Sequence, residues 1–500
     1  MKQRNDNSIS QIKMGALFSY LAIGVSLLSG LIYTPWMVKQ IGVNDYGLYT
    51  LATSLISIFL IDFGISEAVS RFISKYNAEG DQRKVNDLLG LVYKLYIFID
   101  LLILLVLVII YFLLPLIYAE LTPGEVEKLK VIYLITSTFS IVSLPFITLN
   151  SILTSYEKFK TLKLCDLLNK IIVLALMVIA LSLGYKLYAL VLVNAFAGLF
   201  IIVIKLLYIH NYLPVKVNFK HWNKSLLKEV FSFSVWATVS TIANRFIFNI
   251  TPSILGAVSG SSQIAIFGIA STLEGYAYII SGAVNGMFLP KVSKILANKN
   301  DGEDVLPLMI KVGRIQYSII GIIFVGFCIV GKEFIYLWMG EDFGLAYYCA
   351  LLIMLPGVFR VPQQIASVTI IAMNKVKIQA LVYVIVAVLN VLFSSVLSMH
   401  FGALGAAMSI CIVYFIRLII MNIIYYKVLR INVFTFMREC YMNMAPPMLI
   451  TLIIGMVINQ FTSYSLWMLL IKGTFIVVLY IILLWNMSLN QFEKSFFKRV

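Results

Sequence analysis

The sequence predicts an all-α integral membrane protein: fourteen transmembrane helices, two parallel six-helix lobes plus an appended helix pair, and both termini cytoplasmic. Three observations carry this. Of 500 residues, 61% are hydrophobic and only 12% charged, about half the charged share of soluble domains. Apolar runs of roughly 20 residues, the length that spans a bilayer, recur from end to end. Shifted by about 218 residues, the sequence begins to match itself.

The first apolar run follows MKQRNDNSISQIKMG and continues to about residue 38. It is longer than the core of a cleaved signal and lacks a clean cleavage site, so it reads as a retained first span. Further helices are expected near 46–73, 88–118, 129–155, 162–183, 187–209, 229–257, 264–290, 307–331, 344–372, 378–399, 403–427, 443–461 and 465–488. With the N-terminus inside, 30 of the 39 Lys and Arg fall on the cytoplasmic side and five outside. That is the positive-inside bias, and a miscounted helix would invert every later loop. The net charge of +16 thus orients the chain and meets anionic headgroups. Its placement in short loops excludes a nucleic-acid partner.

The repeat sets the domains. Thr34-Pro35 matches Thr251-Pro252, YGLYTLATSL (46–55) matches IAIFGIASTL (264–273), Pro145 matches Pro362, and Gly184 matches Gly402. Six spans is an even number, so both copies start on the same side, as in parallel-repeat transporters. The expected division is a first lobe at 1–213, a second at 214–430 and two further helices at 431–500. Such lobes enclose a cavity and rock about a site near the midplane.

Charges inside spans mark candidate sites, because each costs at least about 2.5–3.5 kcal/mol at a helix centre unless it pairs or meets water. Asp62 has no partner one turn away and is a candidate for ion coupling, with Glu274. Glu67 and Arg71 have the spacing of a local i,i+4 ion pair. Arg245, flanked by Asn244 and Asn249, is expected to line a wet cavity and receive an anion, since guanidinium offers phosphate a planar fork of donors. An ion pair with Glu274 or Asp62 is the alternative. Arg360 lies between Pro356 and Pro362 and either joins that cavity or pairs within a kinked helix. Arg417 and Lys472 have the option of snorkelling. Five scattered cysteines and three dispersed histidines form no metal or disulfide pattern.

LIDFGISEAVSRF (60–72) resembles the DFG/DLG-xxxA-xxR stretch of span 2 in bacterial polysaccharide flippases of the multidrug/oligosaccharidyl-lipid/polysaccharide (MOP) exporter superfamily. GVNDYGLYTLA (42–52) is similar to their G-xxxYGxY-xxA approach to span 2. NGMFLPKVSKI (285–295) and FGALGAAMSI (401–410) resemble the end of span 8 and the G-xxGAA start of span 12. The resemblance covers most of residues 10–430. It implies alternating-access translocation of a polyprenyl-diphosphate-linked glycan, of the kind used in O-antigen, capsule or teichoic acid assembly. It further implies a bacterial cytoplasmic (inner) membrane location and cavity walls from spans 1, 2, 7 and 8. The implied partners are membrane lipids, a polysaccharide polymerase and other assembly proteins. No cofactor is expected beyond a coupling ion, H⁺ or Na⁺. Span 1 lacks the arginines of relatives that move the peptidoglycan precursor. The rivals are a cation-coupled drug exporter of the same superfamily, whose cationic substrates Arg245 would repel, and a membrane glycan polymerase or ligase. The outer loops of about a dozen residues or fewer leave that enzyme little room. A major-facilitator carrier, also built of parallel six-span halves, would need a Gly- and Arg-rich turn that SKYNAEGDQRKVND (74–87) does not provide.

Overall fold

The computed structural model describes residues 2–59, 64–220, 222–282, 288–299, 302–460, 465–490 and 493–494. Among the described residues the structure is helical, with no strand. In chain order the α-helices are α1 (Lys2–Ile41), α2 (Val43–Phe59), α3 (Ile65–Ala78), α4 (Gln82–Ile117), α5 (Pro123–Ser143), α6 (Thr148–Ser155), α7 (Phe159–Ser182), α8 (Leu187–Tyr212), α9 (Lys224–Phe248) and α10 (Thr251–Val258). They continue as α11 (Ser261–Gly282), α12 (Leu289–Lys299), α13 (Leu306–Met339), α14 (Gly344–Arg360), α15 (Gln364–Ala372), α16 (Val376–Lys427), α17 (Val433–Phe436), α18 (Ala445–Asn459) and α19 (Leu466–Met487). Eleven helical stretches among the described residues are long and apolar enough to cross a membrane.

Several expected spans are broken helices. The 129–155 span divides into α5 and α6 at a 3₁₀ turn, Leu144–Ile147, which holds Pro145. The 344–372 span divides into α14 and α15 at Val361–Gln363, which holds Pro362. Proline lacks an N–H and its ring clashes with the carbonyl four residues back. At the second break the Phe359 carbonyl accepts a hydrogen bond from the Tyr441 hydroxyl at 2.6 Å. The expected 229–257 span divides into α9 and α10, with Pro252 in the first turn of α10.

The 52 residues of α16 would reach about 78 Å if straight, against a hydrocarbon core of about 30 Å. The chain turns at Gly402, whose φ of 55° and ψ of −132° leave the helical region and suit glycine. The halves then meet: the Ser409 hydroxyl donates to the Asn390 side-chain oxygen at 3.1 Å. A Cβ on Gly405 would lie 2.1 Å from the Leu397 carbonyl oxygen, so only glycine allows this approach. The two expected spans 378–399 and 403–427 therefore form one tight hairpin.

Local chemistry sets the helix starts. Asp81 caps α4 by accepting from the Lys84 N–H at 3.0 Å; that bond, and then the Lys84 ammonium, hold the Asp81 carboxyl below its usual range. Thr122 and Glu125 form a capping box ahead of α5, with Pro123 at the first helical position. Asn223 caps α9 through the Ser225 and Leu226 N–H groups.

The chain forms two compact units, residues 1–265 and 266–500. α9 and α10 thus belong to the first unit. In that unit the connector after α8 is held on α4: the Asn218 N–H donates to the Asn86 carbonyl at 3.1 Å and its side chain to Asp87 at 2.6 Å. Leucine, isoleucine and phenylalanine cover the outside of α4, with Phe112 at 74% and Leu116 at 77% exposed, while Asp100 of the same helix is buried. Apolar outside and polar inside is the pattern a bilayer imposes.

In the second unit α18 and α19 dock on α13. Val325 and Ile329 of α13 pack with Ile476 of α19, flanked by Met448 and Leu452 of α18. A buried ion pair seals one end, with Lys472 Nζ 2.7 Å from Glu333 Oε1. A second holds the other end: Arg314 Nε and Nη2 donate to the two oxygens of Glu493 at 2.6 and 2.9 Å. The remaining Arg314 donors reach the Glu439 and Ser488 carbonyls.

Candidate functional site

The expected site residues fall in three places. In the first unit Arg245 occupies the last turn of α9, where a cation complements the exposed carbonyl end of the helix. It is half-buried, and its Nη1 donates to the Ser57 carbonyl of α2. The Asn249 N–H closes the helix on the Arg245 carbonyl at 2.8 Å, while Asn244 is exposed beside it. Asn244, Arg245 and Asn249 therefore share one polar helix end. Elsewhere in this unit, Lys170 in the middle of α7 donates to Ser26 Oγ and the Ala22 carbonyl of α1. Asp62 lies outside the described residues.

Glu67 and Arg71 are exposed on α3. They line a polar cavity of about 450 Å³ with Ser66, Ser70, Ser74, Asn150, Ser151 and Thr154, between α3 and α6. Behind it the buried Lys205 of α8 donates to Asn150 at 2.9 Å and lies 3.6 Å from Asp166. A second, apolar cavity of about 570 Å³ lies between α4 and the start of α9, lined by Leu95, Phe98, Ile99, Leu102 and Leu227, with Lys94 set over the Trp222 ring at 5.6 Å.

In the second unit Glu274 of α11 and Arg360 of α14 come together, Oε1 to Nη2 at 3.4 Å. Both are largely buried, so removing either partner would leave the other as an uncompensated charge. Arg360 also lies over the rings of Tyr278 and Tyr414, at 4.8 and 5.1 Å. Arg360 thus makes an ion pair, one of its two expected roles.

The sequence reading missed four features. Arg417 does not snorkel; it is buried, lies 4.2 Å from the Tyr383 ring centroid and donates to the Tyr383 hydroxyl at 2.5 Å. Lys472 likewise turns inward to Glu333. Glu493, at the far end of the chain, reaches Arg314. Asp100, a lone acid in IFIDLLIL, is buried in α4 with Oδ1 lacking a hydrogen-bond partner among the described residues. A usable signal existed for Lys472: a single cation at the depth of Glu333 in a neighbouring apolar helix.

The fold is similar to that of several solved membrane transporters. It matches the lipid II flippase MurJ in an inward closed conformation with a TM-score of 0.72, at 17% identity, over 94% of this chain and 97% of that one. It matches an inward-facing MATE multidrug resistance transporter of the MOP superfamily with a TM-score of 0.64, at 14% identity, over 83% and 96%. A MOP superfamily transporter from Pyrococcus furiosus, described as having a binding pocket of reverse polarity, gives 0.59 at 12% identity, over 83% and 93%. The chain belongs to the polysaccharide biosynthesis protein family, whose signature matches residues 12–296.

Two curated relatives are similar in sequence. A probable low-salt glycan biosynthesis flippase, Agl15 of Haloferax volcanii, is 23% identical over 184 residues, 36% of this chain and 38% of its own length. The capsular polysaccharide biosynthesis protein CapF of Staphylococcus aureus is 24% identical over 226 residues, 42% of this chain and 53% of its own. The chain thus spans about two fifths and about half of these relatives.

Proposed function

We propose that the chain is a flippase that carries a polyprenyl-diphosphate-linked oligosaccharide across the cytoplasmic membrane by alternating access, through fourteen crossings with both termini inside. The family assignment supports a role in polysaccharide biosynthesis, and relatives described as flippases or capsule proteins support a glycan cargo. The observation that carries the reading is Arg245: a guanidinium at the end of α9, anchored on the Ser57 carbonyl and beside Asn244 and Asn249. A fixed, permanently charged fork of donors suits the diphosphate of a carrier lipid. The prenyl tail stays in lipid, and the apolar cavity between α4 and α9 has the lining such a chain requires.

Coupling to an ion gradient is part of the proposal. Glu274, already balanced against Arg360, is the described acid for H⁺ or Na⁺, with Asp62 the second candidate. The MATE-like fold supports drug export as the second reading. Arg245 disfavours it, because a cation on a transport path repels the cationic amphiphiles such exporters carry.

Surface glycan in cells tests the reading. Arg245→Ala abolishes export, and Arg245→Lys retains a reduced level, because an ammonium keeps the charge without the planar fork. Normal export by both variants would overturn the phosphate role.

A further inference from the structure

Inside the second unit, α14, α15 and the second half of α16 surround a cavity of about 20 Å³ lined by Arg360, Gln363, Ser367, Tyr414, Arg417 and Tyr425. We propose that it is a binding site for a monatomic monovalent anion, chloride in the cell. Charge is the first argument. The cluster holds two guanidiniums, and its ion pair is the one between Arg360 and Glu274. Among the described residues Arg417 makes no ion pair, and it is 9% exposed. The cluster therefore carries one uncompensated positive charge in the membrane interior, where such a charge is costly.

The tyrosines do not discharge this excess. Rings lie near both guanidiniums: Tyr278 and Tyr414 near Arg360, Tyr383 and Tyr414 near Arg417. A ring attracts the cation through its face, but the N–H donors still require acceptors. Arg417 Nη2 finds the Tyr383 hydroxyl. Arg417 Nη1 has no hydrogen-bond partner among the described residues, while the Gln363 side chain is hydrogen-bonded to the Tyr441 hydroxyl. Arg417 is buried and lines this small cavity beside Gln363. One unsatisfied guanidinium donor and one surplus positive charge together specify an acceptor with a single negative charge. Buried donors left without acceptors are rare in folded proteins.

Size selects among anions. A water needs about 10–15 Å³ of such space, so about 20 Å³ holds one small occupant. Phosphate and carboxylates have too many atoms. A water would satisfy the donor and leave the charge, which makes it the competing occupant.

The test is equilibrium binding of ³⁶Cl⁻ to the purified full chain in detergent, with gluconate holding ionic strength constant. The expected result is one saturable site from which bromide, but neither gluconate nor inorganic phosphate, displaces the label. Arg417→Gln weakens binding by about tenfold or more, the factor carried by one charge-assisted hydrogen bond. Arg417→Lys restores part of it. Glu274→Gln tightens binding by removing the competing negative charge, a change that a purely structural role would not produce. Arg245→Gln, in the other unit, leaves it unchanged. Absence of saturable chloride binding to the unmodified protein would mean a buried water only and would overturn the proposal, whatever the variants do. So would binding that survives Arg417→Gln and disappears with Arg245→Gln.

Discussion

Replacing Lys472 with methionine isolates the contact that locks the last two helices to α13. Lys472 Nζ lies 2.7 Å from Glu333 Oε1, and the two side chains are 4% and 3% exposed. Asn459 of α18 supplies one further acceptor at 3.4 Å. At an effective dielectric near 20 the attraction at this separation is about 6 kcal/mol. Desolvation of each ion costs several kcal/mol, so the intact pair contributes little net stability. Removing only the ammonium leaves Glu333 buried without its cation, which costs about 3–5 kcal/mol. Lys472→Met therefore destabilises the protein by about that amount. The double variant Lys472→Met with Glu333→Leu recovers most or all of it, since a well-packed apolar pair replaces a buried ion pair at no loss. Reversible unfolding in mixed micelles, run as a double-mutant cycle, measures both numbers. Losses that simply add, or a single variant as stable as the parent, would refute the buried-pair reasoning.

Two further substitutions probe the scaffold. Glu493→Ala removes both oxygens that face Arg314; protease cleavage near the C-terminus should accelerate by about tenfold or more as the tail detaches, the size of a broken buried pair, and an unchanged rate would show that the pair does not hold the tail. Gly405→Ala places a methyl 2.1 Å from the Leu397 carbonyl oxygen, so the hairpin must shift; the expected loss is about 1–3 kcal/mol, read as a lower thermal midpoint, and a neutral result would mean that the two halves of α16 are less closely apposed.

The helical membrane architecture was legible because hydropathy and basic loops are properties of whole segments. The break at Pro362 was legible in kind, since proline acts locally and a kink was expected around Arg360, whereas Pro145 entered only as a landmark of the repeat. The hairpin at Gly402 was anticipated as two spans, because glycine between apolar runs marks a turn. The site was less legible. Arg245, Asn244 and Asn249 share a helix end, as their spacing implies, and Glu274 meets Arg360 although 86 positions separate them. Arg417 and Lys472 were left open, because snorkelling depends on depth and rotation, which tertiary packing decides. Glu493 carried no signal at all: a terminal acid beyond the last apolar run looks like any solvated charge until α13 brings Arg314 beneath it.

The most direct test of glycan translocation is a flipping assay with the purified chain in liposomes that contain a fluorescent polyprenyl-diphosphate-linked oligosaccharide. A membrane-impermeant reductant bleaches only label on the outer face. Bleaching should pass well beyond the fraction seen in protein-free vesicles, and Arg245→Ala should return it to that fraction. Bleaching no greater than in empty vesicles, or transport of a cationic dye in place of the glycan lipid, would contradict the account.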